Sequence, residues 1–558
     1  MKIRPLLLAS LVTLGFELAA PAAPPKLVVT ILVDQLRYDY LDRFHDQFAR
    51  RGFRLLMDDG AFLTFAHYNY LPTITGPGHA SFLSGSTPSI HGIISNDWFD
   101  KRTLKTVNCV SDPGVEGVGD SGPVGQRSPR NFIGDNFADE MRLRYHSKVI
   151  GISHKDRGAI LPAGKKPAGA YWFDSANGSF ITSTYYMAEL PAWVKEFNER
   201  KRPASFIGQT WKRLLDPKFY QWPDDAPGEG ALAGEKTTLF DHTIQPSSKE
   251  GFETIVPTPF GNQLLAEFAL AAIDGEHLGA GPQPDLLCIS FSSIDAAGHR
   301  FGPYSQEVQD MTLRLDRELD ALFTQIDHKL GLANVTIMLT ADHGVAPTPE
   351  FATEQGLDGQ RIDMVSVMSE LLGKLSERFG PGKYLLTPRL VDGNLYFNHD
   401  TLREKQISPE EVAGFIREWA LSTGKFQAVY SRGQILEGRV PGPIGQRVFY
   451  GFNAERSGDV VLLLKPFALP SGGKSGTTHG SAYSYDTHIP VLLFGAGFKP
   501  GRYADEFSIT DIVPTLCAAL RMNEPAGSIG KPLVKLLVDQ AMEKAPSGRQ
   551  TSASPKVR

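Results

Sequence analysis

The sequence predicts an α/β fold: a central, mostly parallel sheet flanked by helices. Three observations predict it. Four runs of strand length are continuously apolar and rich in β-branched residues: 26–33 (KLVVTILV), 149–153 (VIGIS), 285–291 (DLLCISF) and 334–339 (NVTIML). Unbroken apolar runs suit strands buried on both faces, as parallel sheets require. Stretches with helical spacing separate them, the clearest being 262–273 and 305–329. Each run also leads into charged or ligand-type residues, and open parallel sheets place their ligands beyond the carboxyl ends of the strands.

Length and composition fit that class. The chain has 558 residues, enough for one large core with insertions or for two or three domains, with 41% hydrophobic and 21% charged residues. A formal net charge of -5 leaves no basic footprint for nucleic acid. Residues 1–23 read as a secretory signal peptide: Lys2 and Arg4 precede an apolar stretch, and Ala20-Pro21-Ala22 resembles a small-residue cleavage site. The apolar stretch is well short of the ~20 residues a spanning helix needs, and no later segment reaches that length. A periplasmic or secreted protein without a stable membrane anchor is expected. Cys109, Cys288 and Cys517 allow at most one disulfide and form no CxxC pair; Cys288 and Cys517 read as buried small hydrophobes. Residues 544–558 are polar, carry Pro and Ser, and read as a disordered tail, which leaves 24–543 as the folded body.

Taken in order, the first strand run ends at Asp34, a helix N-cap or a ligand at the strand end. Residues 38–58 carry a helical pattern. The stretch 71–81, LPTITGPGHAS, has the form of a nucleophile turn. Thr75 stands between an extended run and a glycine-rich turn that can open a helix, with little side-chain bulk after it and backbone N–H groups near where an anion would sit. A plain Gly-Pro-Gly turn reads the same way. A threonine hydroxyl needs a base or a metal to act as a nucleophile. Asn96, in a polar loop, is on its own a turn residue. Residues 134–145 read as a helix. The run 149–153 leads to Lys155 and Arg157, which can clamp phosphate oxygens or simply line a solvated loop. Residues 159–257 are rich in aromatics, Pro and Gly and are taken as an insertion that caps the site.

After the run 285–291, Asp295 and His299 stand four apart, so one helical face can offer both to a metal. After 334–339, Asp342 and His343 can both turn to one cation, and Gly344 relieves the turn. Residues 408–411 open a helix with a capping-box signal. Residues 459–464 and 489–494 read as strands and 508–520 as a helix. A flexible loop at 472–476 leads to His479. One such group at one strand end has an ordinary structural explanation. Four strand ends in a row do not, because core strands need no such residues. Three Asp, three His and one Thr oxygen, with no thiolate, suit zinc, with manganese or iron also compatible. Two ions ~4 Å apart would clamp the attacking and leaving oxygens of an in-line phosphoryl displacement.

Thr75-Gly-Pro-Gly-His, Asp342-His343-Gly and Thr478-His479-Gly, with Asp34 and the Asp295/His299 pair, resemble the alkaline phosphatase superfamily. Within it they resemble the type I phosphodiesterase/nucleotide pyrophosphatase branch and, in that branch, the PafA-type bacterial alkaline phosphatases with a Thr nucleophile. The resemblance runs from about residue 26 to 522 and implies an alkaline-phosphatase-like sheet. It implies two zinc ions, one on Asp295, His299 and His479, the other on Asp34, Asp342, His343 and the Thr75 oxygen. His488 competes for the last place in the first set, but only His479 has the family's His-Gly form; His79 and His91 fall outside the pattern. It further implies that Asn96, Lys155 and Arg157 contact the non-bridging oxygens of a phosphate monoester, which makes the cationic clamp the expected reading of that loop.

The expected activity is hydrolysis of a small phosphate ester through a phosphothreonine at Thr75. The alternatives on the same metal pair are a phosphodiesterase/nucleotide pyrophosphatase and a phosphonate hydrolase; from another class, a metal-stabilised protein that only captures phosphate. The Cys-x-Pro-x-Arg pattern of sulfatases is absent, and a cofactor-independent phosphoglycerate mutase would use Ser. Oligomeric state stays open, a monomer being compatible with the sequence.

Overall fold

The computed structural model describes residues 24–119, 122–247, 251–470 and 473–538. The expected signal segment, the C-terminal tail and the first residue of the 472–476 loop lie outside them. In chain order the central sheet takes β1 (Leu27–Val33), β2 (Ala61–His67), β3 (Val149–Ser153), β4 (Gly169–Asp174), β5 (Ser179–Ser183), β6 (Asp285–Phe291), β7 (Val335–Thr340) and β8 (His488–Phe494). Their spatial order is β2-β8-β7-β1-β6-β3-β4-β5, and short strands continue it at both edges. β7, β1, β6, β3 and β4 run parallel. β8 is antiparallel to both β7 and β2, and β5 is antiparallel to β4. Every residue of β1 is buried, with Thr30 paired between Cys288 and Met338. That is why the run is apolar throughout and does not alternate.

The helices that matter for the site are α1 (Thr75–Ser84), α2 (Asp156–Ala163), α3 (Pro259–Gly275), α4 (Ser293–Phe301) and α5 (Gln306–Leu330). On α5 the expected face of Val308, Met311, Leu315, Leu319, Leu322 and Ile326 is buried, and the Ser305 hydroxyl caps the helix by accepting from Val308 N. The helical pattern at 38–58 is interrupted, giving Tyr38–Arg43 and Phe53–Asp58. The cause is Asp316 of α5, whose carboxylate enters the bend and accepts from Ala49 N at 2.5 Å and Phe53 N at 2.8 Å. A Cβ on Gly52 would collide with that carboxylate, so the bend requires glycine.

Within residues 159–257, expected as a cap, β4 and β5 continue the central sheet and α2 packs against β3 and β4. Ala192–Glu199 packs on α3, and Trp211, Leu214 and Gln221 bond to α5. The run at 459–464 is a strand, Val460–Leu464, but of a second, small sheet together with Asn394–Leu395 and Phe426–Ser431. With the helices Met364–Phe379 and Pro409–Ser422 it forms a lobe around its own core, which includes Leu371, Leu375, Ile416 and Val460. Cys109, Cys288 and Cys517 are all buried and unpaired. Burial pushes the Cys288 thiol up to about 12 and raises the other two. No described helix is long and apolar enough to cross a membrane.

The buried carboxylate of Asp310 is one of the anchors that tie the segment of Trp211, Leu214 and Gln221 to α5. Asp310 accepts from Trp211 Nε1 and Leu214 N at 2.7 Å each and from Arg314 Nε at 2.6 Å, and the Tyr220 hydroxyl donates to it as well. Asp310→Ala leaves these donors unpaired. The expected cost is ~3–5 kcal/mol, read as a lower urea midpoint and faster proteolysis within 207–245. An unchanged midpoint would show that the segment is held by other contacts.

Candidate active site

The carboxyl ends of β7, β1, β6 and β3 meet at one edge of the sheet, where chain reversal exposes side chains in a shared crevice. Asp34 follows β1, Asp342 and His343 follow β7, Asp295 and His299 lie in α4 after β6, and Lys155 caps α2 after β3. His479 lies in the loop that leads into β8. Thr75 is the first residue of α1, immediately after the extended Ile74. The Gly-Pro-Gly sequence is thus a helix start packed at close range. A Cβ on Gly78 would lie 2.5 Å from the Asp342 carbonyl oxygen and 2.6 Å from Asp342 Cβ. Glycine lets α1 rest directly on the backbone that carries Asp342.

The acidic and imidazole side chains converge on two foci. His299 Nε2 lies 3.2 Å and His479 Nε2 3.5 Å from the same oxygen, Asp295 Oδ1. His343 Nε2 lies 3.4 Å from Asp34 Oδ1 and 3.3 Å from Asp342 Oδ2. Asp34, Asp342 and His343 form one group that could hold a metal ion, and Asp295, His343 and His479 another. His343 belongs to both because its ring stacks on His479 with centroids 3.5 Å apart. His299 adjoins the second focus through Asp295 and through His479, whose ring centroid is 4.9 Å from its own.

The residues fit divalent cations. Asp34 Oδ1, Asp342 Oδ2 and His343 Nε2 are buried without a hydrogen-bond partner, a condition that costs ~1–3 kcal/mol per group unless something else satisfies it. The three imidazoles share one orientation. The Nδ1 atoms of His299, His343 and His479 each lie 2.9 Å from a backbone carbonyl, of Thr477, Gly344 and Thr73 respectively. A carbonyl can only accept, so each Nδ1 carries a proton and each Nε2 is the atom turned to the cluster, where it would offer a lone pair to a cation, the arrangement of metal-ligating histidine.

Electrostatics point the same way. Asp34, Asp295 and Asp342 are buried together. Burial raises Asp34, and the neighbouring Asp295 charge adds to it. Burial and Asp34 hold Asp342 well above the carboxylate range. For Asp295 burial is outweighed by Lys155 and His299, which hold it well below that range. Burial, with His479 next to it, holds His343 well below the imidazole range. Lys155 Nζ is 2.6 Å from Asp34 Oδ2, 2.5 Å from Asp295 Oδ2 and 3.5 Å from Thr75 Oγ1. Lys155 thus bonds two of the three buried carboxylates and feels the charge of the third, too little positive charge for a dry site. Arg157, at the start of α2, is near enough to Asp34 and Asp295 to feel their charges. Its partner Asp156, 3.7 Å away, is pinned by Arg127 Nε at 2.6 Å. Asn96 Oδ1 accepts from Gly76 N at 2.7 Å, which leaves the amide NH2 to donate near the Thr75 turn.

The other histidines sit elsewhere. His79 bridges the Thr75 carbonyl at 2.8 Å and Ser290 Oγ at 2.7 Å, behind the ligands. His91 bonds Ser81 Oγ, and His488 stacks on Tyr38 and bonds the Thr64 carbonyl. Two features had not been expected. Gln35 ties the foci together: its N–H donates to Asp342 Oδ1 at 3.1 Å and its Nε2 to Asp295 Oδ1 at 2.8 Å. Only its place next to Asp34 could have flagged it. Ser95 donates to the carboxylate of Asp392, a residue of the second lobe, and accepts from Asp97 N at 3.2 Å, so that lobe braces the loop of Asn96. Nothing local to Asp392 signals this.

The profile of the family described as type I phosphodiesterase / nucleotide pyrophosphatase matches residues 28–486. The chain is 38% identical over 530 residues to the alkaline phosphatase PafA of Elizabethkingia meningoseptica, covering 94% of this chain and 96% of that protein. It is 37% identical over 522 residues to the alkaline phosphatase PhoV of Synechococcus elongatus, covering 92% and 93%. The crystal structure of wild-type PafA aligns with a TM-score of 0.87 at 38% identity, over 92% of this chain and 99% of the other. With the profile spanning most of its length and a relative 38% identical over 94% of it, the chain belongs to the type I phosphodiesterase/nucleotide pyrophosphatase family.

Proposed function

We propose that this chain is an exported, metal-dependent alkaline phosphatase that hydrolyses small phosphate monoesters through a phosphothreonine at Thr75. The observation that carries the reading is Lys155 Nζ, 3.5 Å from Thr75 Oγ1 and flanked by the two Asp/His foci. The names of the relatives PafA and PhoV, both alkaline phosphatases, support it. So does the composition of residues 1–23, which suits export to the periplasm or beyond.

In this reading Asp295, His299 and His479 would hold one zinc ion, and Asp34, Asp342, His343 and the Thr75 oxygen would hold the other. Such ions would offset the buried carboxylates and supply Lewis acidity to the Thr75 oxygen and to the leaving oxygen. Thr75 Oγ1 attacks phosphorus in line with the departing ester oxygen. The Lys155 ammonium, the Arg157 guanidinium and the Asn96 amide hold the non-bridging oxygens. A phosphothreonine forms as the alcohol leaves. Water then attacks phosphorus from the vacated side and frees inorganic phosphate, restoring Thr75. A monoester dianion carries one more negative charge than a diester, so a Lys/Arg pair favours the monoester.

The deciding experiment assays the zinc-loaded protein on 4-nitrophenyl phosphate and bis-4-nitrophenyl phosphate. A strong monoester preference is expected, and Lys155→Ala should lower kcat/KM for the monoester about 10²–10³-fold while barely touching the diester. A diester preference unaffected by Lys155→Ala would move the chain to the phosphodiesterase reading. Thr75→Ala should lower turnover at least ~10³-fold with metal content, measured by mass spectrometry, unchanged; full turnover would end the covalent mechanism. Chelation of divalent cations should lower Tm by several degrees, and added zinc should restore it, because ligands that bind only the folded state stabilise it. A Tm indifferent to chelator would count against metal occupancy of the buried carboxylates.

A further inference from the structure

Between the second lobe and the loops that carry Thr75 and His479 lies a cavity of about 200 Å³. Its walls are mainly apolar. Leu71 and Ile74 come from the run before the nucleophile, and Met364, Leu390 and Leu464 come from the lobe. His479 and Asp392 stand in its wall. These two residues locate the cavity relative to the chemistry. His479 Nε2 points at Asp295 from one side, and Asp392 is bonded to Ser95, the neighbour of Asn96, on the other. The cavity therefore borders the position of the phosphoryl group, on the flank of His479. Resting on the proposed phosphatase reading, in-line attack by Thr75 sends the ester oxygen toward Asp295, His299 and His479, so the organic part of the ester leaves on this flank.

We infer that this cavity is a leaving-group subsite, built by the second lobe, that selects monoesters of neutral, apolar alcohols or phenols about one ring in size. Size and chemistry argue for this class. The volume suits a single ring with short substituents. The aliphatic walls gain from burying apolar surface. The carboxylates of Asp392 and Asp486 outnumber the Lys465 ammonium in the same wall, which disfavours a leaving group that carries a second phosphate or a carboxylate. Tyr483 and Tyr485, with ring centroids 5.6 Å apart, also stand in the wall and offer aromatic faces to a single ring.

Benzyl phosphate and methyl phosphate test the inference, because their alcohols are of similar acidity and differ mainly in the ring. The zinc-loaded wild-type protein should hydrolyse benzyl phosphate with a kcat/KM at least about 10-fold above that for methyl phosphate, the gain expected from burying a ring. Met364→Trp, which fills the cavity from the lobe side and touches none of the proposed machinery, should erase that advantage and leave methyl phosphate within about 2-fold of wild type. The methyl phosphate rate also reports that the variant has folded; if it collapses, Leu390→Phe replaces Met364→Trp. Equal kcat/KM for the two esters in the wild type overturns the subsite. So does a benzyl advantage that survives filling of the cavity. Hydrolysis of neither ester would instead overturn the phosphatase reading, so the two failures are distinct.

Discussion

Three carboxylates buried at one sheet edge, Asp34, Asp295 and Asp342, set the terms for everything around them. Water cannot reach them there, and burial, with their mutual repulsion added, holds two of them above their ordinary range. The surroundings are arranged to receive positive charge. Three imidazoles turn Nε2 inward because their Nδ1–H groups donate to backbone carbonyls. Lys155 bridges two of the carboxylates, and Gln35 ties two together with neutral donors. A cluster built this way is stable as a folded object when cations complete it, so folding and the chemistry of the site are coupled.

The sheet and most of the site were legible in the sequence because both leave local marks. Continuous apolar runs can only be strands covered on both faces, and β1 is covered on both. Asp34, Asp342 and His343 stand directly at strand ends, where such a sheet collects its ligands, and the glycines after Thr75 record the close approach of α1 to Asp342. Residues whose role depends on a distant partner left no mark. Gln35 looks like any turn residue until Gly298 is seen to make room for its side chain. Asp392 lies 297 positions from Ser95, and its meaning is the contact itself. The helical break at Gly52 depends on Asp316, more than 260 residues away. The second lobe was missed for a related reason: its amphipathic helices and short strands look like ordinary decoration of the main sheet until their common core is visible.

The architecture divides labour between two bodies. The parallel sheet fixes the reactive groups, with Thr75, the Asp/His cluster and Lys155 all mounted on its strand ends or on helices packed against it. The lobe meets that frame through Ser95 and through the apolar cavity beside His479. Changes in the lobe can therefore retune which esters are accepted while the frame that performs phosphoryl transfer stays intact.

The buried, unpaired cysteines have a practical consequence. Oxidation and disulfide exchange proceed through the thiolate, and burial holds all three thiols in the protonated form, with Cys288 pushed up to about 12. The folded chain thus requires no disulfide machinery to mature and presents no reactive sulfur to an oxidising compartment. It can also be kept aerobically, in mildly alkaline buffer, without a thiol reductant. That matters for handling, because such reductants would themselves compete for the metals at the Asp/His edge.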